Sequence, residues 1–339
     1  MKINTSVMLE ELLSVDRFDA EFFRPEYVEA EDAITRIAHK PVSDLVGTIK
    51  RGIQPLYDDA GNVPVVRTVN VRETGLSGTR QQFVTEAFVS ANPRGKVHKG
   101  DVLVTSTGVG TLGRVCFVDE ASIHFADGHI AYLRDVRDVH PLYLTTLLQS
   151  RYGVAMLYRR QRGSSGQMEI YPDDLASIPI PLFKTSEAEI VALREVALTA
   201  NQTAHKALAA AESRLMEALG LDRIDLTPEK CYTRRYRDLQ KEGRFDAEYF
   251  NPKYQRIIKK LRGGGQTLAD VAPLSQQSFD PSKREKGSTF RYIEIGSLTG
   301  DGEAEAETLD VADAPSRAKW IVKPGDIITS TVRPIVKPK

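Results

Sequence analysis

RFDAEYFNPKY, residues 244–254, is the stretch of this sequence that decides its organisation, because it occurs twice. The earlier copy is RFDAEFFRPEY, residues 17–27, and eight of the eleven positions are identical. The two copies start 227 residues apart, at Arg17 and Arg244. That separation is too long for a solenoid repeat and suits a duplicated domain. The sequence therefore predicts two related units in one chain.

Further segments of the chain repeat at nearly the same spacing. The corresponding ranges are 43–46 with 269–272, 65–69 with 292–295, and 99–107 with 324–331. Their offsets stay between 225 and 227 residues, so few insertions separate the two copies. Lys339 falls opposite Arg114 in this alignment, and the later segments of the first copy find no match. We therefore expect the second unit to be incomplete.

The composition is that of a soluble globular protein, with 41% hydrophobic and 27% charged residues. Lys and Arg together number 46, as do Asp and Glu, so anion binding requires a local basic patch. The two cysteines, Cys116 and Cys231, form no CxxC pair, which argues against a disulfide framework. The N-terminus lacks a signal-peptide pattern, and no apolar run reaches the roughly 20 residues of a membrane span. We expect a cytoplasmic protein with no membrane partner.

Short runs of Val, Ile and Thr, broken by Gly, Asn and Asp, predict a strand-rich domain after residue 41. The predicted strands cover residues 63–69, 101–105, 114–118 and 129–133. Apolar residues at helical spacing predict helices over residues 26–37 and 141–156. Alternate prolines in residues 178–182 force an extended exit from this domain. The pattern indicates a mixed α+β fold.

A long helix is predicted over residues 186–219. Ser186 and Glu189 form a capping box at its start, and Gly220 ends it. At ~1.5 Å per residue this helix is about 50 Å long, which exceeds the width of a small domain. Its apolar positions recur every three or four residues, and many are Ala, which lets another helix approach closely. An ordinary packed helix is one interpretation, and a spacer in a helical hairpin or short coiled coil is the favoured one.

Two motifs that could carry chemistry have simpler structural explanations. Residues 108–113 (GVGTLG) fit the GxGxxG dinucleotide fingerprint, but a strand follows where the fingerprint requires a helix. A hairpin loop with exposed hydroxyls and amides, facing phosphates or base edges, is the better interpretation. His124, Asp127 and His129 could suggest a metal site, or a base with an orienting carboxylate. Strand alternation does not place the two histidines on one face and no further ligand is evident, so structural or surface histidines are the favoured interpretation. We therefore predict no catalytic residue, no metal site and no bound cofactor.

Basic residues form several short runs in loops rich in Gly, Ser, Asn and Gln. The runs are Lys50 with Arg51, Arg67 with Arg72, Arg159 and Arg160 with Arg162, Arg234 and Arg235 with Arg237, and Lys283 and Arg284 with Lys286. Each run alone is usually a solvated surface. Their recurrence favours a nucleic-acid partner, because Arg and Lys bond guanine, Asn and Gln bond adenine, and small hydroxyl residues allow close approach to phosphates.

Four features occur in a characteristic order along the chain. They are the repeated RFDAE motif, residues 100–106 (GDVLVTS) with 110–113 (GTLG), residues 163–167 (GSSGQ), and residues 175–182 leading into the long helix. In this order and with this duplication, the chain resembles the specificity (S) subunit of type I restriction–modification systems, the HsdS family. The resemblance covers essentially the whole sequence.

The resemblance implies an α+β protein with duplicated strand-rich target recognition domains joined by long conserved spacer helices. The first recognition domain would cover residues 1–184, the spacer helix 185–220, and the start of an incomplete second domain 221–339. Each recognition domain of the family reads half of a split double-stranded DNA site. The helices fix the half-site spacing and dock the modification (methyltransferase) subunits, which carry the S-adenosylmethionine. The restriction subunit joins the full complex, and the S subunit itself is not an enzyme.

Loops of the first recognition domain are therefore expected to contact DNA, with base readers flanked by phosphate anchors. The predicted DNA-binding residues are Lys50, Arg51, Gln54, Arg67, Asn70, Arg72, Thr107, Thr111, Arg114, Arg162, Ser164 and Gln167.

Two alternatives belong to other functional classes. A truncated S-like chain could act as a scaffold or inhibitor that holds modification subunits without reading a full site. A homodimer through the 186–219 helix would support this role. A stand-alone nuclease or methyltransferase would need a metal–carboxylate cluster or a cofactor loop, and the sequence has neither.

Overall fold

The computed structural model describes residues 12–13, 15, 17–78, 80–108, 110–119, 123–163, 168–261, 266–275, 277–298, 304 and 306–330. The chain mixes helices and strands, and its internal contacts divide it into two compact units, Met1–Ala207 and Leu208–Lys339. This division falls inside the long helix. No helix among the described residues combines the length and the apolar character that a membrane crossing requires.

The first unit carries most of the regular structure. Its helices include α1 (Pro25–Thr35), α2 (Val42–Leu45), α3 (Glu86–Ala91), α4 (Pro141–Gln149), α5 (Arg151–Arg159), α6 (Pro172–Ala176) and the first part of α7 (Glu187–Leu219). Its strands include β1 (His39–Pro41), β2 (Val46–Arg51), β3 (Val63–Val66), β4 (Val71–Arg72), β5 (Gly75–Leu76), β6 (Phe83–Val84), β7 (Lys96–Val97), β8 (Val102–Thr105), β9 (Val115–Phe117), β10 (His124–Ala126), β11 (Ile130–Val136) and β12 (Pro179–Pro181).

Two four-stranded sheets form the body of this unit, in the orders β6-β3-β10-β7 and β2-β11-β8-β9. The pair β3–β10 is parallel, and the other pairs in these two sheets are antiparallel. The hairpin β4–β5 stands beside them, and β12 pairs with β1, His39 opposite Pro181. Prolines fit at this two-stranded edge because they cannot donate to a central ladder.

The main core lies between the β2-β11-β8-β9 sheet and the helices. Val102, Leu103, Val104 and Thr105 of β8 are all fully buried, as expected for a central strand covered on both faces. Leu144 and Leu148 of α4 fill the same cluster of side chains. The strand β8 thus anchors the loop that follows it.

The predicted helix over residues 141–156 is two helices, not one. Ser150 has extended geometry (ψ 163°), and its Oγ accepts a hydrogen bond from the amide of Gly153 at 3.2 Å. A serine in this conformation is a helix N-cap, so it starts α5 while ending α4. The apolar spacing continues across the break, which is why the sequence pattern did not reveal it.

The predicted long helix is confirmed, with α7 spanning Glu187–Leu219. It ends where Gly220 adopts a left-handed conformation (φ +63°), and the amide of Leu221 bonds back to the carbonyl of Met216 at 2.8 Å. A glycine in this conformation satisfies the last carbonyls without steric cost.

The second unit has smaller elements and few buried residues. Its helices and strands include α8 (Tyr236–Glu242), α9 (Pro252–Leu261), α10 (Leu268–Val271), β13 (Thr289–Tyr292) and β14 (Glu307–Asp310). Among its described residues, Phe250 and Asn251 are the buried ones. A unit with so little buried apolar surface gains little hydrophobic stabilisation.

Strand pairing in the second unit follows the sequence repeat. In β3–β6, Val63 lies opposite Val84, and in β13–β14, Thr289 lies opposite Asp310. Both members of the pair are displaced by 226 residues, so the register of the hairpin is repeated as well as its position. Strand β13 therefore matches β3 one residue away from the alignment predicted from the sequence. Residues 327–330, which the sequence repeat aligns with β8, form no strand.

Candidate functional site

Three of the predicted loops meet around Glu169 in the first unit. Arg51, at the end of β2, donates through Nη1 to Glu169 Oε2 at 3.0 Å and through Nη2 to the carbonyl of Ile170 at 2.8 Å. Thr107, after β8, forms an antiparallel bridge with Glu169. Glu169 also exchanges two backbone hydrogen bonds with Arg162, at 2.7 and 2.8 Å. The structure thus joins loops more than 100 residues apart in sequence.

Arg162, which directly precedes the segment 163–167, is fixed by a buried carboxylate. Arg162 donates to Asp174 through Nη2 at 2.7 Å and through Nε at 3.1 Å, and Asp174 is 5% exposed. Asp174 also accepts from the amide of Tyr171, and Arg51 lies over the Tyr171 ring at 5.0 Å. A bidentate pair of this kind fixes the direction of the Arg162 side chain. The predicted residues Ser164 and Gln167 lie outside the described residues.

The loop after β8 is shaped by glycines. Gly108, Gly110 and Gly113 have φ of +106°, +73° and +75°, which favour glycine because a side chain there would be strained. Thr107 is buried, whereas Thr111 is half-buried with its Oγ1 3.4 Å from the Thr107 carbonyl. The loop connects the antiparallel strands β8 and β9, as predicted. The prediction of exposed hydroxyls is wrong for Thr107, because that side chain is buried.

Two arginines without ion-pair partners lie beside this loop. Arg114 directly precedes β9, and its Nη2 donates to the carbonyl of Gly110 at 2.9 Å. Burial, followed by the positive charge of Arg72, lowers the pKa of Arg114. Among the described residues neither arginine has a carboxylate oxygen within ion-pair distance. The result is a half-buried pair of like charges with no ion-paired carboxylate among the described residues, although Tyr158 and the Glu73 carboxylate partly offset the lowering of the Arg114 pKa.

The remaining predicted residues divide into exposed and internal ones. Lys50 and Gln54 are exposed at the end of β2 and in the loop after it. Asn70 is 2% exposed: its Oδ1 accepts from the amide of Arg67 at 3.0 Å and its Nδ2 donates to the Ser77 carbonyl at 2.8 Å. The Arg67 side chain donates to the carbonyl of Arg80. Asn70 therefore closes the turn before β4, and its amide is not available to a base.

Sequence reasoning missed Glu169, Tyr171 and Asp174 as members of this site. Part of the signal was present, because Tyr171 precedes a proline and Asp174 stands three residues on, which is the pattern of a helix start. That pattern predicts α6 and the capping bond of Asp174. It does not predict that the same carboxylate pairs with Arg162.

No catalytic centre stands out among the described residues. They contain no group of three or more His, Cys, Asp and Glu side chains arranged to hold a metal ion. Asp127 accepts from the Tyr57 hydroxyl at 3.2 Å and from the amide of His129 at 2.9 Å, which is a structural arrangement. Burial raises the pKa of Cys116 to about 12, so this thiol is protonated and unreactive at neutral pH.

No family model matches the sequence, and no curated protein matches it. The solved structures that it matches include type I restriction–modification S subunits. The S subunit from M. genitalium aligns with a TM-score of 0.38 and 14% identity, over 56% of this chain and 46% of that one. The HsdS subunit from Thermoanaerobacter tengcongensis aligns with a TM-score of 0.34 and 17% identity, over 62% and 53%.

An enzyme also matches: the type IIG restriction endonuclease BpuSI, with a TM-score of 0.39 and 10% identity, over 55% of this chain and 30% of that one. The chain thus spans about half the length of the S subunits and less of the endonuclease. Since every one of these TM-scores lies below 0.5, the function proposed for this chain rests on its own residues.

Proposed function

We propose that this chain binds double-stranded DNA sequence-specifically, as the non-catalytic specificity subunit of a type I restriction–modification complex. The single observation that carries the proposal is the half-buried pair Arg72 and Arg114 beside the glycine loop 108–113. Two neighbouring guanidinium groups without an ion-paired carboxylate repel each other, and a phosphate placed against them offsets the repulsion.

Other predicted residues of the first unit offer further parts of a DNA interface. Thr111 supplies a hydroxyl for a phosphate oxygen, and Lys50 and Gln54 stand exposed for a phosphate or a base edge. Arg162 has 49% of its side chain exposed and is held in direction by Asp174. We assign Arg51 and Asn70 to support rather than to base contact, because their polar groups are used inside the protein.

The wider assignment follows the resemblance of the sequence motifs. Modification subunits would dock on the long helix and bring S-adenosylmethionine, and the restriction subunit would join them. Residues 1–184 would form the recognition domain, residues 185–220 the spacer helix, and residues 221–339 the start of a second recognition domain. Methylation and cleavage would reside in the partner subunits, and the complex would act in the cytoplasm.

The test is a selection from random duplexes with the full chain and its modification subunit, followed by titration of the recovered duplex at several salt concentrations. We expect a defined sequence to be enriched. Replacing Arg72 and Arg114 together by Met should lower the slope of log K against log salt by about two, one for each lost phosphate contact. Arg223→Met, at a side chain 93% exposed in the second unit, is the control and should leave the slope unchanged. No enrichment, or equal slopes for all three proteins, would reject the proposal.

A scaffold role is the second candidate, and exposed apolar side chains on α7 favour it. Leu193, Val196, Leu208 and Leu215 are 65%, 68%, 59% and 58% exposed on one helix. Apolar side chains at this spacing are typical of a helix that pairs with another. Mass measurement by light scattering separates the two roles. A homodimer that the Leu193→Glu, Val196→Glu variant abolishes, without DNA selection, would support the scaffold.

A further inference from the structure

The two arginines of the proposed interface are held by one amide. Gln149, the last residue of α4, donates through Nε2 to the carbonyl of Glu73 at 3.0 Å and to the carbonyl of Val115 at 2.8 Å. Glu73 directly follows Arg72, and Val115 directly follows Arg114. A single side chain therefore ties together the two backbone segments that carry the like-charged pair.

The orientation of that amide is fixed from the long helix. Arg194 of α7 donates through Nη2 to Gln149 Oε1 at 2.5 Å and also to the Glu73 carbonyl. Because Oε1 is occupied by a cationic donor, the NH₂ end of Gln149 must face the two carbonyls. Ile190 and Val191, one turn earlier on α7, pack against the main core, so Arg194 sits on a part of the helix that cannot easily shift.

The hydrogen bonds of Gln149 and Arg194 oppose the electrostatic repulsion between Arg72 and Arg114. Two guanidinium charges at short range repel, and partial burial strengthens the repulsion because the local dielectric is lower than that of water. The β4–β5 hairpin is short and pairs only Val71 with Leu76 and Arg72 with Gly75. Val71 is fully buried and anchors one face of the hairpin in the core. Loss of Gln149 and Arg194 would therefore loosen the Arg72–Glu73 backbone without releasing the whole hairpin.

We propose that Gln149 and Arg194 are positioning residues that fix the spacing of Arg72 and Arg114 and tie that spacing to the long helix. The proposal rests on the proposed DNA function and deepens it: the ligand is the phosphate backbone of duplex DNA, and the recognition surface is built to a geometry set from α7. Neither residue touches DNA itself.

The test is a double-mutant cycle on DNA affinity, measured by anisotropy with the selected duplex and the full chain with its modification subunit. Arg72→Met should weaken binding about tenfold, the usual result of losing one charge-assisted contact. Gln149→Met and Arg194→Met should each weaken binding about as much and lower the salt slope by about one. In the Arg72→Met background, either change should weaken DNA binding by no more than about a further twofold, since the residue it positions is already gone.

Arg36→Met is the control, because Arg36 is exposed in the first unit, lies outside the long helix and the predicted DNA-binding residues, and should leave affinity unchanged. If Gln149→Met weakened DNA binding by the same factor with and without Arg72, the two affinity losses would be independent. That result would overturn the positioning role. No effect of Arg72→Met would reject the proposed function instead, so the two failures differ. Should Arg194→Met fail to fold, Gln149→Met carries the same test, because Arg194 then keeps its bond to the Glu73 carbonyl.

Discussion

The two copies of the RFDAE motif make the same local contacts in the two units. Arg17 Nε bonds Asp19 at 2.7 Å, and Arg244 Nε bonds Asp246 at 2.8 Å. In each copy the aspartate accepts a backbone amide, that of Phe22 or Tyr249, at 3.0 Å. The motif therefore encodes a self-contained turn that forms wherever it stands.

The surroundings of the two copies differ. The Arg17 side chain is 7% exposed, donates to the carbonyl of Gln161 at 2.8 Å and lies 3.9 Å from Asp174. The Arg244 side chain is 52% exposed. In the first copy the motif arginine thus contacts the Gln161 carbonyl and Asp174, far along the chain. In the second copy the motif contacts residues of the preceding segment, since Arg234 donates to the Phe250 carbonyl at 2.8 Å and Asn251 donates to the Glu229 carbonyl at 3.3 Å.

Two Gly-Asp turns, at residues 100–101 before β8 and at residues 325–326, also share local contacts and differ in burial. Gly100 and Gly325 have φ of +94° and +93°, and Asp101 and Asp326 each accept the amide three residues before them at 2.8 Å. Asp101 also receives two bonds from Arg134, both at 2.8 Å, and is 1% exposed. Asp326 is exposed. Local sequence determines the turn, and distant residues determine whether it is buried.

The largest expected effect comes from the motif arginine. Arg17→Met should lower the free energy of unfolding of the first unit by about 3 kcal/mol, because Asp174 stays buried with one cationic partner fewer. Arg244→Met should cause no measurable change in the free energy of unfolding of the second unit, because its guanidinium is solvated. Urea unfolding followed by far-UV circular dichroism checks the first unit. Fluorescence of Trp320, the single tryptophan, checks the second. Equal losses in the two variants would contradict the comparison.

An intermediate effect is expected at Glu31, whose counterpart in the second copy is Ile258. Burial would raise the pKa of Glu31, but the hydrogen bonds and charges of Arg160 and Arg159 overcome it and hold the pKa below its ordinary value of 4.5. The stability contributed is therefore present above pH 4.5 and is lost as the pH falls through the lowered pKa.

Glu31→Gln should cost about 2 kcal/mol at neutral pH and flatten the decline of stability below pH 4.5. Unfolding curves at several pH values measure both quantities. A wild type and a variant whose stabilities fall in parallel with acid would show that the Glu31 pair does not contribute. Ile258→Val, a change without a titrating group, is the control for the second unit.

The smallest difference is expected at the two repeated glycines. Gly100→Ala and Gly325→Ala should each cost about 1 kcal/mol in their own unit, because alanine is strained in the left-handed region. A similar loss in both units, measured with the two probes above, would show that the local turn is equivalent in the two copies. A large loss at Gly100 alone would mean that packing, not backbone strain, dominates there.

Local features of this fold could be predicted from sequence, and tertiary ones could not. The long helix was found within one residue of its start, since capping and a terminal glycine are encoded nearby. The break at Ser150 was missed, because helical periodicity continues across it. The parallel pairing of β3 with β10 joins strands about 60 residues apart, and no local pattern specifies such a partner.

The candidate site divides in the same way. Residue type and loop context identified Arg72, Thr111 and Arg114, which the structure brings to one place. They could not show that Arg51 and Asn70 are occupied internally, because the partner of Arg51, Glu169, lies 118 residues away. An arginine in a loop has the same sequence signal whether it faces solvent or a buried carboxylate.

Hydrogen exchange of the full chain with its modification subunit, with and without the selected duplex, tests the central claim most directly. The claim is that the surface around Arg72 and Arg114 contacts DNA. We predict slower exchange on DNA binding in residues 70–76 and 105–114, and unchanged exchange in α1 (Pro25–Thr35) of the first unit. Protection that appears elsewhere while residues 70–76 and 105–114 exchange at the same rate would contradict it.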